Sequence, residues 1–292
     1  MKKLTKKLVV KDNALINASY TLALTEQRMI LLAIVEAREK GVTIDHVTPL
    51  AIHADVYANQ FKVTKDAAYK ALAEAATQLK AREFSFQEKR PVGIANITTR
   101  WVQQVAYIES TATIEILFTV ALVPLITALE KQFTSYELEK VSNLTSAYAV
   151  RLYEMLIAWR SVGQTPVFEL QQFRWQLGVE LSEYPRMYDL KKYVIDFAIK
   201  QINAHTDITV AYEQHKKGRV ITGFSFRFKQ TSKQASERDV NTIEMLTDKT
   251  DAEAFAQPER KNISKAKAGK MARIGETYDQ LYRRLSKNYI IK

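Results

Sequence analysis

The side chains best placed to do chemistry in this sequence are cations. Arg186, Tyr188, Lys191 and Lys192 crowd the start of one helical stretch, and Lys216, Lys217 and Arg219 follow in a short turn. Two such clusters suit a polyanion. A lysine ammonium neutralises phosphate, adding roughly one unit each to the salt slope of binding. An arginine fork can hold guanine in a bidentate bond, for about 1–3 kcal/mol of base discrimination. Arg186 is therefore the expected base reader, and Lys191 and Lys192 the expected phosphate partners. A weaker set lies earlier, where Lys62, Thr64, Lys65, Tyr69 and Lys70 crowd another helix start and Arg100 lies on a following ribbon. The competing reading is an ordinary solvated helix start, and the basic turn after Lys192 argues against it.

Other chemistries lack their residues. There is no cysteine, which excludes disulfides, zinc fingers, iron–sulfur clusters and thiol catalysis. The four histidines (His46, His53, His205, His215) form no HxH or HExxH pair, so a metal-dependent nickase or a zinc protease has no ligands. Gly218 and Gly223 have the spacing of a phosphate-binding loop, but Phe224-Ser225 stands where Lys-Ser/Thr is needed. His215-Lys-Lys-Gly-Arg219 is the nearest fragment to a tyrosine recombinase's Arg-His-Arg set, and its arginine falls inside a turn. Glu137 and Glu139 lie two apart on an expected strand and read as solvated structural carboxylates. No catalytic residue, metal or cofactor is expected, and the protein reads as a non-enzyme.

The elements that must hold the cations are legible. From Tyr184 to Phe228, Leu190, Val194, Phe197, Ala198 and Ile202 recur at helical spacing and predict one apolar stripe. Ile208, Val210 and Tyr212 alternate as on a half-buried strand. His215 to Arg219 is a basic turn, and Ile221, Phe224, Phe226 and Phe228 return in alternation with a slip at Gly223 that marks a bulge. A helix followed by a basic-tipped hairpin is the reading half of a winged helix. The helix enters a major groove and the hairpin tip touches phosphate.

Upstream, Asn13 to Leu24 leads into a helix capped by Thr25, with Ile30, Leu31, Ile34 and Val35 buried and Gly41 as its stop. Val47 to Ile52 is extended, and a helix lies near His53 to Asn59. Thr64 caps a long helix striped by Ala68, Leu72, Ala75, Ala76 and Leu79. Arg82 to Phe86 turns to strand period. Ile97 to Tyr107 and Thr111 to Phe118 read as two strands of a long ribbon, with Trp101 and Tyr107 as packing residues. A short helix over Val120 to Leu129, a strand over Phe133 to Leu138 and an amphipathic helix over Leu144 to Ser161 follow. Val162-Gly-Gln-Thr-Pro166 breaks that helix.

The second half repeats the first. Thr48-Pro49 and Thr165-Pro166 each open an extended stretch that runs into a helix, the second from Phe168 to Leu177. An offset of 123 residues sets Leu72 on Ile195, Ala75 on Ala198 and Leu79 on Ile202, and one further residue aligns Phe84 and Phe86 with Ile208 and Val210. The expected fold class is α+β: two tandem winged-helix domains, residues 1–162 and 163–230, and a basic, mobile C-terminal tail, 231–292. Within that tail, residues 259–292 hold ten basic side chains against three acidic ones, with a helix expected from Gly269 to Ser286.

The totals agree with a nucleic-acid partner. A formal charge of +11 points to a polyanion, nucleic acid first and an anionic membrane surface second. With 292 residues, 47% of them hydrophobic, there is core enough for two domains. No apolar run is long enough for a signal peptide or a membrane span, so a cytoplasmic protein is expected.

Three segments resemble the RepB/RepE-type (pi-like) initiator proteins of iteron-controlled plasmids. They are Leu24-Thr-Glu-Gln-Arg28, Leu144-Thr-Ser-Ala-Tyr148-Ala-Val-Arg151-Leu-Tyr153-Glu-Met-Leu, and the run from Tyr188 through Asn203 to Asp207. The resemblance covers roughly residues 8 to 230. It implies two winged-helix domains straddling one direct repeat (iteron) of an origin, the second supplying most of the specificity. It implies monomers that initiate replication by helping to open an A·T-rich segment, and dimers, joined through the N-terminal domain, that repress their own gene. The implied partners are double-stranded origin DNA, a second copy, the host initiator and the replicative helicase. The alternatives are a winged-helix transcription repressor and, disfavoured by the missing histidine pair, a rolling-circle nickase or recombinase.

Overall fold

The computed structural model describes residues 7–127, 133–180 and 182–231, with the backbone of 261–263 and 289–291. The chain opens with β1 (Leu8–Asp12) and α1 (Asn13–Ile16), capped by the Asp12 carboxylate on the Ala14 N–H. After β2 (Ser19–Tyr20) comes α2 (Leu24–Lys40), stopped at Gly41 by its left-handed φ of 65°. The cap of α2 is Ala23, not Thr25. Glu26 reaches back to the Ala23 N–H at 2.6 Å and supplies the acceptor that alanine lacks. Every residue from Met29 to Ala37 is buried, so α2 has no solvent face there and the domain wraps around it.

Next come β3 (Leu50–His53), α3 (Ala54–Phe61) and α4 (Lys65–Leu79). Thr64 caps α4 as expected, its hydroxyl accepting the Ala67 N–H, and the whole predicted stripe from Ala68 to Leu79 is buried. Four strands follow: β4 (Glu83–Arg90), β5 (Gly93–Arg100), β6 (Val102–Ile108) and β7 (Thr113–Phe118). The expected single strand from Ile97 to Tyr107 is thus two. It breaks at Trp101, whose indole is wholly buried with the Tyr20 and Phe84 rings each 4.8 Å away. Trp101 bonds Arg82 with its N–H and Thr119 with its carbonyl, so it joins two hairpins and belongs to neither.

The half ends with α5 (Val123–Thr127), β8 (Phe133–Glu137), α6 (Glu139–Ser142) and α7 (Ala147–Ile157). Glu137 closes β8 and Glu139 opens α6, so the two share no strand face. The second half is β9 (Phe168–Glu169), α8 (Leu170–Leu177), then one continuous helix made of α9 (Met187–Asp189), a π-helical stretch (Leu190–Ile195) and α10 (Asp196–His205). It closes with β10 (Ile208–Lys217) and β11 (Val220–Gln230). In a separate unit, β12 (Lys261–Ile263) and β13 (Tyr289–Ile291) pair in parallel. The expected helix from Gly269 to Ser286 and the mobility of the tail lie outside the described residues.

Two three-stranded antiparallel sheets share one plan, β3-β7-β6 and β9-β11-β10. In each, the short strand before the first helix of a pair bonds the second strand of the hairpin after the second helix. These are two tandem winged helices, and the fold is α+β. The plan corrects one alignment: the counterpart of β10–β11 is β6–β7, not the strand carrying Phe84 and Phe86. The hairpin β4–β5 is an addition between helix and wing, paired with β2 instead. The helical part of the repeat stands, for Leu72, Ala75, Leu79, Ile195, Ala198 and Ile202 are all buried.

Helix α7 serves both halves and is buried without interruption from Ala149 to Ile157, including Arg151 and Glu154. The Glu154 carboxylate meets Lys11 Nζ at 2.6 Å, the Tyr136 hydroxyl at 2.5 Å and Arg151 at 3.2 Å. Burial opposes its ionisation, but Lys11 and Arg151 outweigh burial and hold its pKa below the usual carboxylate value. Burial pushes Lys11 below the usual lysine value, against the pull of Glu154.

Candidate nucleic-acid interface

Arg186 is the N-cap residue of the long second helix, exposed, with its side chain in no capping bond. Tyr188 and Lys192 are exposed one turn on. The Lys192 ammonium lies 4.9 Å from the Tyr193 ring centre and 5.6 Å from that of Tyr188. Contact with Tyr193 first, then Tyr188, raises its pKa and keeps it charged. Lys191 points elsewhere: it donates to Gln214 on β10 at 3.2 Å and lies 6.0 Å from the Tyr212 ring centre. Tyr212 in turn donates to Asp196 at 2.8 Å. Lys191 thus ties the helix to its wing, a role the expected phosphate contact did not include.

The π-helical stretch shifts the stripe. Leu190, Val194, Ile195, Ala198 and Ile202 are buried, whereas Phe197, expected among them, is 46% exposed. The wider turn advances the buried face by a residue, so Ile195 takes the inward place and Phe197 rotates out. Phe197 joins exposed Tyr193 in an aromatic edge on the helix. Regular helical spacing could not reveal it.

In the wing, β10 and β11 pair as far as Lys217 with Val220, around the two-residue turn Gly218-Arg219, with Gly218 at φ 65°. His215, Lys216 and Lys217 are therefore strand residues, not turn residues, and the His215 ring bonds the Ser225 hydroxyl at 2.7 Å. Lys216, Lys217 and Arg219 are exposed at the tip. The register jumps between His215 and Lys216, leaving Thr222 unpaired beside Gly223, where the sequence predicted a bulge. Gly223 is required by packing: a Cβ there would collide with the Phe168 carbonyl oxygen of β9.

The first unit's set is more neutralised. Lys62 caps α3 in the left-handed region at φ 52°. The Thr64 hydroxyl is engaged by the α4 cap, and Lys65 pairs with Asp55 at 2.8 Å. The Tyr69 ring packs edge-on against Tyr107 of the wing at 5.6 Å, and Lys70 is exposed. Lys65, Tyr69 and Lys70 line a cleft of about 360 Å³ with His53, Asp55 and Asp66, whose carboxylates offset its cations. Arg100 does not lie on the wing. It is on the added hairpin, 3.9 Å from Glu83. The tip of that hairpin carries exposed Lys89 and Arg90, Arg90 paired with Glu88 at 2.8 Å, which sequence reasoning passed over although Arg90-Pro91-Val92-Gly93 is a turn signal.

Among the described residues no group of three or more His, Asp or Glu could hold a metal ion, and no helix is long and apolar enough to cross a membrane. What the two helices and wings can do is present cations to a groove and its phosphates at two places.

Comparison with known proteins agrees in both halves. The family described as "Initiator Replication protein, WH1" matches residues 8–157, and "Initiator Rep protein, WH2" matches residues 169–228. An uncharacterized 27.6 kDa protein of Escherichia coli is 27% identical over 233 residues, which is 75% of this chain and 95% of its own length. Among solved structures, the Pi initiator protein in complex with iteron DNA is similar in fold, with a TM-score of 0.59 and 19% identity over 78% of this chain and 98% of that one. The WH1 domain of MSBI1.176, a replication protein isolated from a multiple sclerosis patient, is 60% identical over 41% of this chain and 92% of that one, with a TM-score of 0.36.

Proposed function

Since the chain belongs to the initiator replication protein family through both of its winged-helix domains, we propose that it binds the direct repeats of a plasmid origin and initiates replication there. The carrying observation is the duplicated unit of helix and wing whose second copy bears exposed Arg186, Tyr188 and Lys192 beside a tip of Lys216, Lys217 and Arg219. In this reading Arg186 discriminates bases, the tip holds phosphate, and the first unit, with Lys65 already paired to Asp55, contributes less affinity. The described iteron complex of the structurally similar Pi protein supports the choice of ligand.

The finer parts of the reading are that a monomer binds each repeat, helps open an adjacent A·T-rich segment and recruits the host initiator and replicative helicase. A dimer joined through the N-terminal domain represses the gene. The protein is cytoplasmic and performs no covalent chemistry on DNA. The test is footprinting on the cognate origin with the intact chain. Regularly spaced protections over direct repeats, with supercoiled origin DNA left unnicked, are expected. Protection of one inverted repeat alone makes the protein a repressor only, and nicking overturns the non-enzymatic reading.

A further inference from the structure

Two readers discriminate the spacing of a bipartite site only when their own separation and phase are fixed, and α7 carries contacts that fix them. Arg151, fully buried at its middle, donates to the Ile16 and Ala18 carbonyls of the first unit at 3.0 and 2.9 Å. The same guanidinium donates to the Gln176 carbonyl, at the end of α8 in the second unit, at 2.9 and 3.2 Å. One planar fork thus holds backbone from both units. The strand it steadies lies against α8. Ser19 Oγ donates to the Trp175 carbonyl at 2.8 Å, and at Gly178 a Cβ would collide with the Tyr20 carbonyl. A second link joins the segment just before α7 to the reader helix itself, where Gln201 exchanges hydrogen bonds of 2.7 and 3.0 Å with Thr145.

We propose that Arg151 is a positioning residue that sets the phase between the two reader helices, so that the protein measures the distance between the halves of its DNA site as well as their sequence. The proposal rests on the bipartite double-stranded reading given above. Arg151 touches no DNA in this scheme. A lysine at the same place would keep the charge and lose the fork, because a single ammonium cannot lie in plane with carbonyls on both sides.

The experiment uses the full chain and the repeat that footprinting defines. Two duplexes are compared by fluorescence anisotropy: the intact repeat, and the same repeat with about 5 bp, half a helical turn, inserted between its two protected segments. For the wild type the insertion is expected to cost on the order of a hundredfold in affinity, since both readers can no longer engage together. Arg151→Lys is expected to bind the intact repeat about tenfold more weakly, while the insertion costs it less than about fivefold. Arg151→Gln, which replaces the fork by one amide, is read by the same ratio and decides the matter if Arg151→Lys does not fold. A folded variant that keeps the wild-type ratio, or weakens both duplexes equally, overturns the assignment and leaves Arg151 a stabilising residue. A wild type that binds both duplexes alike instead overturns the bipartite reading itself.

Discussion

Replacing Glu154 by Gln tests the buried charge network beneath the two readers. The carboxylate is 1% exposed and the Lys11 side chain 4%, so solvent screening is slight. Its two oxygens face four donors: Lys11 and Tyr136 on one, Arg151 and Tyr20 on the other. An amide of the same shape removes the charge and must point its NH2 at donors on one side. Removing one partner of a buried pair costs about 3–5 kcal/mol, and here two cations lose their counter-ion. Against a typical stability of about 5–15 kcal/mol, that is roughly a fifth or more of the whole. Melting should fall by roughly 6–20 °C, at about 2–4 °C per kcal/mol for a body of this size.

The variant's pH dependence has a definite sign. Burial already pushes Lys11 below its ordinary value, and without Glu154 nothing opposes that push. Between its folded value and about 10.4 the unfolded chain binds the extra proton, and that window is wider in the variant, so the variant gains stability relative to wild type as pH rises through it. Urea unfolding followed by tryptophan fluorescence and circular dichroism measures both effects. A loss under about 1 kcal/mol, or a gap that widens with rising pH, refutes the account of the network.

Other outcomes follow from the interface and its supports. Arg186→Ala should weaken binding to the cognate repeat by about 1–3 kcal/mol and relax preference at one base pair; equal loss on random duplex in a competition assay would show that Arg186 touches only phosphate. Changing Lys216, Lys217 and Arg219 together to Ala should lower the slope of log K against log salt by roughly 3, with sequence preference kept. Gly223→Ala should lower stability by about 1–3 kcal/mol, because β9 must move away from the new methyl group; an unchanged melting temperature would mean that the sheet yields freely.

The sequence by itself determined the repeated architecture and where its cations lie. Period-2 and helical spacing are local consequences of backbone geometry, so the α4 stripe, the Thr64 cap, the alternating strands of the second wing and the bulge beside Gly223 could be read directly. The family resemblance in the segments around Leu24, Leu144 and Tyr188 agrees with the initiator replication protein family to which both halves belong. Tertiary structure decided the rest, because the missing information was about partners distant in sequence. Trp101 breaks a strand where its indole is buried against the Tyr20 and Phe84 rings. The added hairpin is separated from the wing only by which strand β3 pairs with. Phe197 is turned outward by a π-helical stretch that leaves no mark in the pattern. Lys191 is drawn to Gln214 although its neighbour Lys192 stays free of the wing. Arg151 and Glu154 look like the polar face of an amphipathic helix until the two units close over them. Only then does one guanidinium meet carbonyls 25 and 135 positions away.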